Sequence, residues 1–147
     1  MSSGAGENGT VATGVVAVVD DLLFGEKLQT TARHLQVDLV FARSPEDAIA
    51  ITRARRPALV ILDLQSEACR PLDTIRRIKE DPSLCATPIL GYRAHVRDDI
   101  RTAAAAAGCD EILPRSAFAA RVAEILQRGA PAIGASSPPA TPSGATP

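Results

Sequence analysis

The sequence predicts an α/β domain built from five βα units, a parallel sheet covered by crossover helices, and three observations predict it. Short apolar runs alternate with helix-like stretches from Val15 to Arg128, the pattern that parallel strands joined by helical crossovers require. Two of the runs, Val15 to Val19 (VVAVV) and Ala58 to Leu62 (ALVIL), are nearly continuous in aliphatic residues, as strands buried on both faces must be. Helix start and stop signals fall between the runs rather than inside them.

Taken in order, VVAVV is the first strand and a helix ending near His34 follows it. The second run, Val37 to Ala42 (VDLVFA), alternates more than the others and suits an edge. The helix from Ser44 to Arg56 opens SPED: Ser44 can cap the free N–H groups, Pro45 fits the first helical position, and Asp47 offers a carboxylate at the third. After ALVIL, Leu72, Ile75 and Ile78 form the stripe of a third helix that Asp81 and Pro82 stop. The fourth strand is Pro88 to Tyr92 (PILGY). The fourth helix runs from Val96 to Ala107, with Asp98 and Asp99 in its first turn and Gly108 at its end. Asp110 to Leu113 (DEIL) is the fifth strand. Phe118, Val122, Ile125 and Leu126 then lie on one face of a last helix that Gly129 terminates.

A chain of 147 residues, 46% hydrophobic, supports one core and not a second domain of ordinary size. The expected domain covers residues 14–128, between disordered segments at 1–13 and 129–147. The latter (GAPAIGASSPPATPSGATP) is too poor in apolar surface to fold. Sixteen basic against 17 acidic residues leave a net charge of −1, and aromatics are only 3%. This balance argues against nucleic acid or an anionic membrane as the main partner. Arg53, Arg55, Arg56, Arg76, Arg77 and Lys79 read as solvated helix faces. Cys69, Cys85 and Cys109 are odd in number and form no C-x-x-C pair, which fits a reduced, cytoplasmic protein with neither disulfides nor zinc. Val11 to Val19 is too short to span a bilayer.

In open parallel α/β sheets, reactive groups collect beyond the carboxyl ends of the strands. The first strand here ends in Asp20 and Asp21, and the third ends in Asp63. A single strand-end Asp commonly caps a helix or turns the chain. Three at one rim repel each other unless a cation or proton offsets them, and oxygen ligands are what Mg2+ prefers. Asp63 is then the natural nucleophile, since a carboxylate can accept a phosphoryl group as an aspartyl phosphate. Arg93 and Arg115 stand at the ends of the remaining strands, as donors to phosphoryl oxygens should. His95, in the loop after the fourth strand, and His34 are adequately explained as ordinary loop and helix-end residues.

The segments VVAVVDD, ALVILDLQ, LDTIRRIKEDPSLCATPIL and GCDEILPRSAF resemble the successive landmarks of bacterial response-regulator receiver domains, from Val15 to Arg128. The resemblance implies a three-layer, doubly wound flavodoxin-like fold with strand order 2-1-3-4-5. It implies Mg2+ on Asp20, Asp21, Asp63 and the Gln65 backbone carbonyl, and phosphoryl on Asp63. It also implies a histidine kinase or phosphotransfer protein as donor and a downstream protein target, with a homodimer through the fourth and fifth helices as one mode of association. Departures from the family pattern surround the site. Arg93 replaces a Thr or Ser, Arg115 a Lys, Ser116 a Pro and Ile112 an aromatic switch residue, while Glu67 and Pro71 stand where Pro and Gly are usual. Arg93 and Arg115 together could clamp a phosphoryl group, or one could pair with Asp63 and lock a single conformation. Three functions therefore stay open: a stand-alone receiver in a phosphorelay, a phosphorylation-independent adaptor, and an anion or nucleotide sensor using Arg93 and Arg115.

Overall fold

Each apolar run becomes a strand and each strand is followed by a helix. The computed structural model describes residues 12–95 and 97–130. The strands are β1 (Val15–Val18), β2 (Leu39–Ala42), β3 (Leu59–Asp63), β4 (Ile89–Arg93) and β5 (Glu111–Pro114). The helices are α1 (Leu22–Leu35), α2 (Pro45–Arg55), α3 (Pro71–Glu80), α4 (Asp98–Ala107), α5 (Arg115–Ala120) and α6 (Val122–Leu126), with a 3-10 turn over Gln127–Gly129. The expected disordered segments lie almost wholly outside the described residues, as does Val96, where the fourth helix was expected to begin.

All pairings are parallel and the order is β2-β1-β3-β4-β5, the doubly wound topology expected, with β2 at an edge. Alternation along each strand sends side chains to two separate cores. Val15, Ala17, Val19, Ile61 and Leu90 pack with Phe24 and Leu28 of α1 and with Phe118, Val122 and Ile125 of α5 and α6. Val16, Val18, Leu62 and Ile89 pack with Ala48 of α2, Ile75 and Ile78 of α3, and Ala104 of α4.

Local signals account for most boundaries. The Ser44 hydroxyl accepts from the Asp47 amide at 3.0 Å and Pro45 follows it in the first turn of α2. Gly108 ends α4 at φ 114°, and a Cβ there would stand 2.6 Å from Lys79 Cγ, so conformation and space both require glycine. Several boundaries differ from expectation. β3, β4 and β5 each end one residue later than predicted; for β3 the Leu64 amide still donates to Tyr92 O, which carries the ladder through Asp63. β2 loses Val37 and Asp38 because the Val37 amide turns back to Ala32 O and closes α1. The single last helix is broken at Arg121, with φ −113° and ψ 16°, where one amide is shared between Ala117 O and Phe118 O.

Arg53, Arg55 and Arg77 face solvent in ion pairs, Arg53 with Asp81, Arg55 with Asp38 and Arg77 with Asp73 and Glu46, whereas Lys79, expected on a solvated face, is largely withdrawn, its Nζ donating to Cys85 O and Thr87 O and pairing with Asp110. All three cysteines are free thiols. No helix among the described residues is long and apolar enough to cross a membrane.

Candidate functional site

β1 and β3 are neighbours in the middle of the sheet, with Val18 opposite Leu62, so the residues that follow are delivered to one rim. Asp63 ends β3, is half-buried, and accepts a hydrogen bond from the Gln65 amide at 2.9 Å through Oδ1. Burial pushes its carboxyl above the ordinary aspartate value. The Gln65 amide and the Arg115 charge pull it down, and the charges of Asp21 and Asp20 push it up again.

Asp21 has a different setting. It is the N-cap of α1: Oδ1 accepts from the Phe24 amide at 3.1 Å, and Oδ2 pairs with Nη2 of Arg115. These two partners, the Phe24 amide first, hold its carboxyl below the usual range. Arg115 is itself seated, its guanidinium carbon 4.8 Å from the centre of the Phe24 ring, a cation–π contact. Asp20 is exposed. Gln65 contributes more than its amide, since its Oε1 accepts from the Ala94 amide at 2.6 Å and ties the loop after β3 to the loop after β4.

Several expectations need correction. Arg115 opens α5 and pairs with Asp21, so no direct Arg115–Asp63 ion pair forms; Asp63 feels the guanidinium through space. Arg93 ends β4 one residue after Tyr92 and starts from the opposite face of the strand. Its Nε is buried without a partner. Ser116 is exposed in the first turn of α5, and Ile112 packs against the α2, α3 and α4 face.

The expected Mg2+ ligands also do not assemble. Among the described residues, no three His, Cys, Asp or Glu side chains come together as a metal-binding group. The physical reason is Asp21: one oxygen caps a helix and the other holds an arginine, so the carboxylate most needed beside Asp63 is already satisfied. In this arrangement a divalent cation would compete with Arg115 for Asp21.

Tyr92 belongs to the same neighbourhood and sequence reasoning passed over it. It lies directly across the ladder from Asp63 and is 1% exposed. Its hydroxyl is buried with no hydrogen-bond partner. The ring stacks on Phe118 at 4.6 Å and tilts against Phe24 at 5.2 Å. The signal was present as the one polar atom in an otherwise apolar run, PILGY, one residue before the strand end.

No protein-family model and no curated protein matches the sequence. Solved structures do match its fold. The response regulator of Hahella chejuensis superposes with a TM-score of 0.72 at 18% identity, over 81% of this chain and 96% of that one. The chemotaxis response regulator CheY4 of Vibrio cholerae gives 0.70 at 18% identity, over 80% and 98%. The receiver domain of a Pseudomonas aeruginosa sensor histidine kinase, solved with a magnesium ion coordinated in its active site cleft, gives 0.68 at 18%, over 81% and 98%. The chain thus has the flavodoxin-like fold of response-regulator receiver domains.

Proposed function

We propose that this domain, residues 14–128, is a receiver module of a phosphorelay, accepting a phosphoryl group on Asp63 and signalling in the cytoplasm through protein–protein contacts. The observation that carries the reading is the half-buried Asp63 carboxylate at the end of a central strand, oriented by the Gln65 amide, with Asp20, Asp21 and Arg115 around it. A carboxylate oxygen of Asp63 would attack the phosphorus of a phosphohistidine on a kinase or phosphotransfer protein. The new P–O bond forms as the P–N bond breaks, and the imidazole nitrogen leaves with the electron pair and takes up a proton. The product brings about two negative charges to the rim, where Arg115 is the nearby cation able to answer them with charge-assisted hydrogen bonds. A magnesium ion has a place in this reading only after Arg115 leaves Asp21. Self-phosphorylation is the extent of the chemistry proposed; the output is contact with a downstream protein.

The test is modification of the full chain by acetyl phosphate in magnesium buffer, read by intact mass. A phosphoryl adduct is expected on the wild type and none on Asp63→Ala; an unmodified wild type, or an equal adduct on the variant, sinks the proposal. The Arg115–Asp21 pair favours a second reading, a phosphorylation-independent adaptor whose resting charge is already balanced. That reading expects no adduct on the wild type and unchanged signalling in cells by Asp63→Ala.

A further inference from the structure

We infer that the Tyr92 hydroxyl is a hydrogen-bond donor reserved for the group that Asp63 carries once it is phosphorylated. The inference rests on the proposed function and starts from an unsatisfied atom. The Tyr92 hydroxyl is buried with no partner, a condition that is costly in an apolar interior. Phe24 and Phe118 surround the ring, and a phenylalanine in its place would pack there equally well without that cost. A buried polar group kept without an acceptor calls for an explanation in function or in bound solvent.

Geometry says which acceptor is available. Tyr92 and Asp63 are opposite residues of neighbouring parallel strands, so their side chains leave the sheet on the same face. The ring is clamped between α1 and α5 by its two aromatic neighbours, so the hydroxyl cannot turn out to solvent to find a partner. The partner has to come to it. The free Asp63 carboxylate, tied to the Gln65 amide, does not reach it. A phosphoryl group extends the side chain by a P–O bond and presents three strong acceptor oxygens. Burial and the charge of Asp63 keep the phenol protonated, which is the donor state.

Beryllofluoride in magnesium buffer is the probe, titrated against the full-length wild type and Tyr92→Phe. The variant is expected to melt at the same temperature as the wild type or higher, and to bind beryllofluoride roughly tenfold more weakly, the loss of one hydrogen bond to a charged acceptor. Its phosphoryl adduct is expected to hydrolyse faster by a similar factor. Affinity and adduct lifetime within twofold of the wild type overturn the inference and leave the phosphorelay reading standing. A wild type that binds no beryllofluoride and takes no phosphoryl group overturns both. The wild type supplies an independent check, because Tyr92 is the one tyrosine in a chain without tryptophan. Its emission is expected to change on beryllofluoride binding, and an unchanged spectrum on a saturated site counts against a new bond to the phenol.

Discussion

The β1 and β3 ends of the sheet each present a carboxylate at the same rim, and the two have been treated in opposite ways. Asp21, past β1, is fully employed: a backbone amide and a guanidinium share its two oxygens, and both pull its pKa down. Asp63, closing β3, has burial as its dominant influence, which pulls the other way, and its one strong hydrogen bond comes from the turn that follows. A helix N-terminus solvates a charge with its own unpaired amides, whereas a strand end inside a sheet withdraws the charge from water and offers little in return. Reactivity is expected where the charge is least satisfied. The contrast therefore singles out Asp63 without any appeal to a bound ligand.

The largest expected stability effect is on the satisfied side. Asp21→Ala removes a cap, which costs about 0.5–2 kcal/mol, and a half-exposed ion pair, which adds about 0–1 kcal/mol. Thermal unfolding at neutral pH should show a midpoint lower by several degrees. Because the folded pKa of Asp21 is depressed, its charge contributes stability above the ordinary aspartate value of 3.8 and loses it as pH falls through the folded value. The gap between wild type and variant should narrow in acid.

Asp63→Asn should give a smaller effect of opposite sign. Its folded pKa is raised, so the favourable state is the protonated one, fully populated below the unfolded value and lost as pH rises through the folded value. At neutral pH the wild type holds an ionised carboxylate in a half-buried place, and the neutral amide relieves that. The variant should melt higher than wild type at neutral pH, with the gain vanishing below 3.8. If both substitutions shift the melting point in the same direction across the pH range, the contrast between the two ends is broken.

How much of this was legible in the sequence follows the same division. Strand and helix identity came from periodicity and caps such as Ser44 and Gly108, which act over a few residues. The positions of Asp20, Asp21 and Asp63 followed from where apolar runs stop. The order 2-1-3-4-5 came from the family resemblance, because periodicity does not say which strands adjoin. The partnerships were not legible. Arg115 lies 94 residues from Asp21, and whether it would meet Asp21, Asp63 or a phosphoryl group depends on the angle at which α5 leaves β5. In the sequence Tyr92 is only the last residue of the fourth strand, and its hydroxyl gains meaning once the ladder sets it opposite Asp63.

Arg115 connects the two ends and gives the smallest but most informative perturbation. Its pair with Asp21 is substantially exposed, at 41% and 31% for the two side chains, so Arg115→Ala should cost no more than about 1 kcal/mol in stability. The electrostatic consequence is larger than the structural one. Removing the guanidinium frees one oxygen of Asp21 and withdraws the charge that pulls the Asp63 pKa down, leaving Asp20, Asp21 and Asp63 at one rim without the guanidinium that offset them. That is the donor set a hard divalent cation takes. Calorimetric titration with Mg2+ should therefore find tighter binding to Arg115→Ala than to wild type. Equal affinities would mean that Arg115 does not compete for Asp21, and the satisfied state of that carboxylate would cease to explain why the three carboxylates do not come together as a metal site.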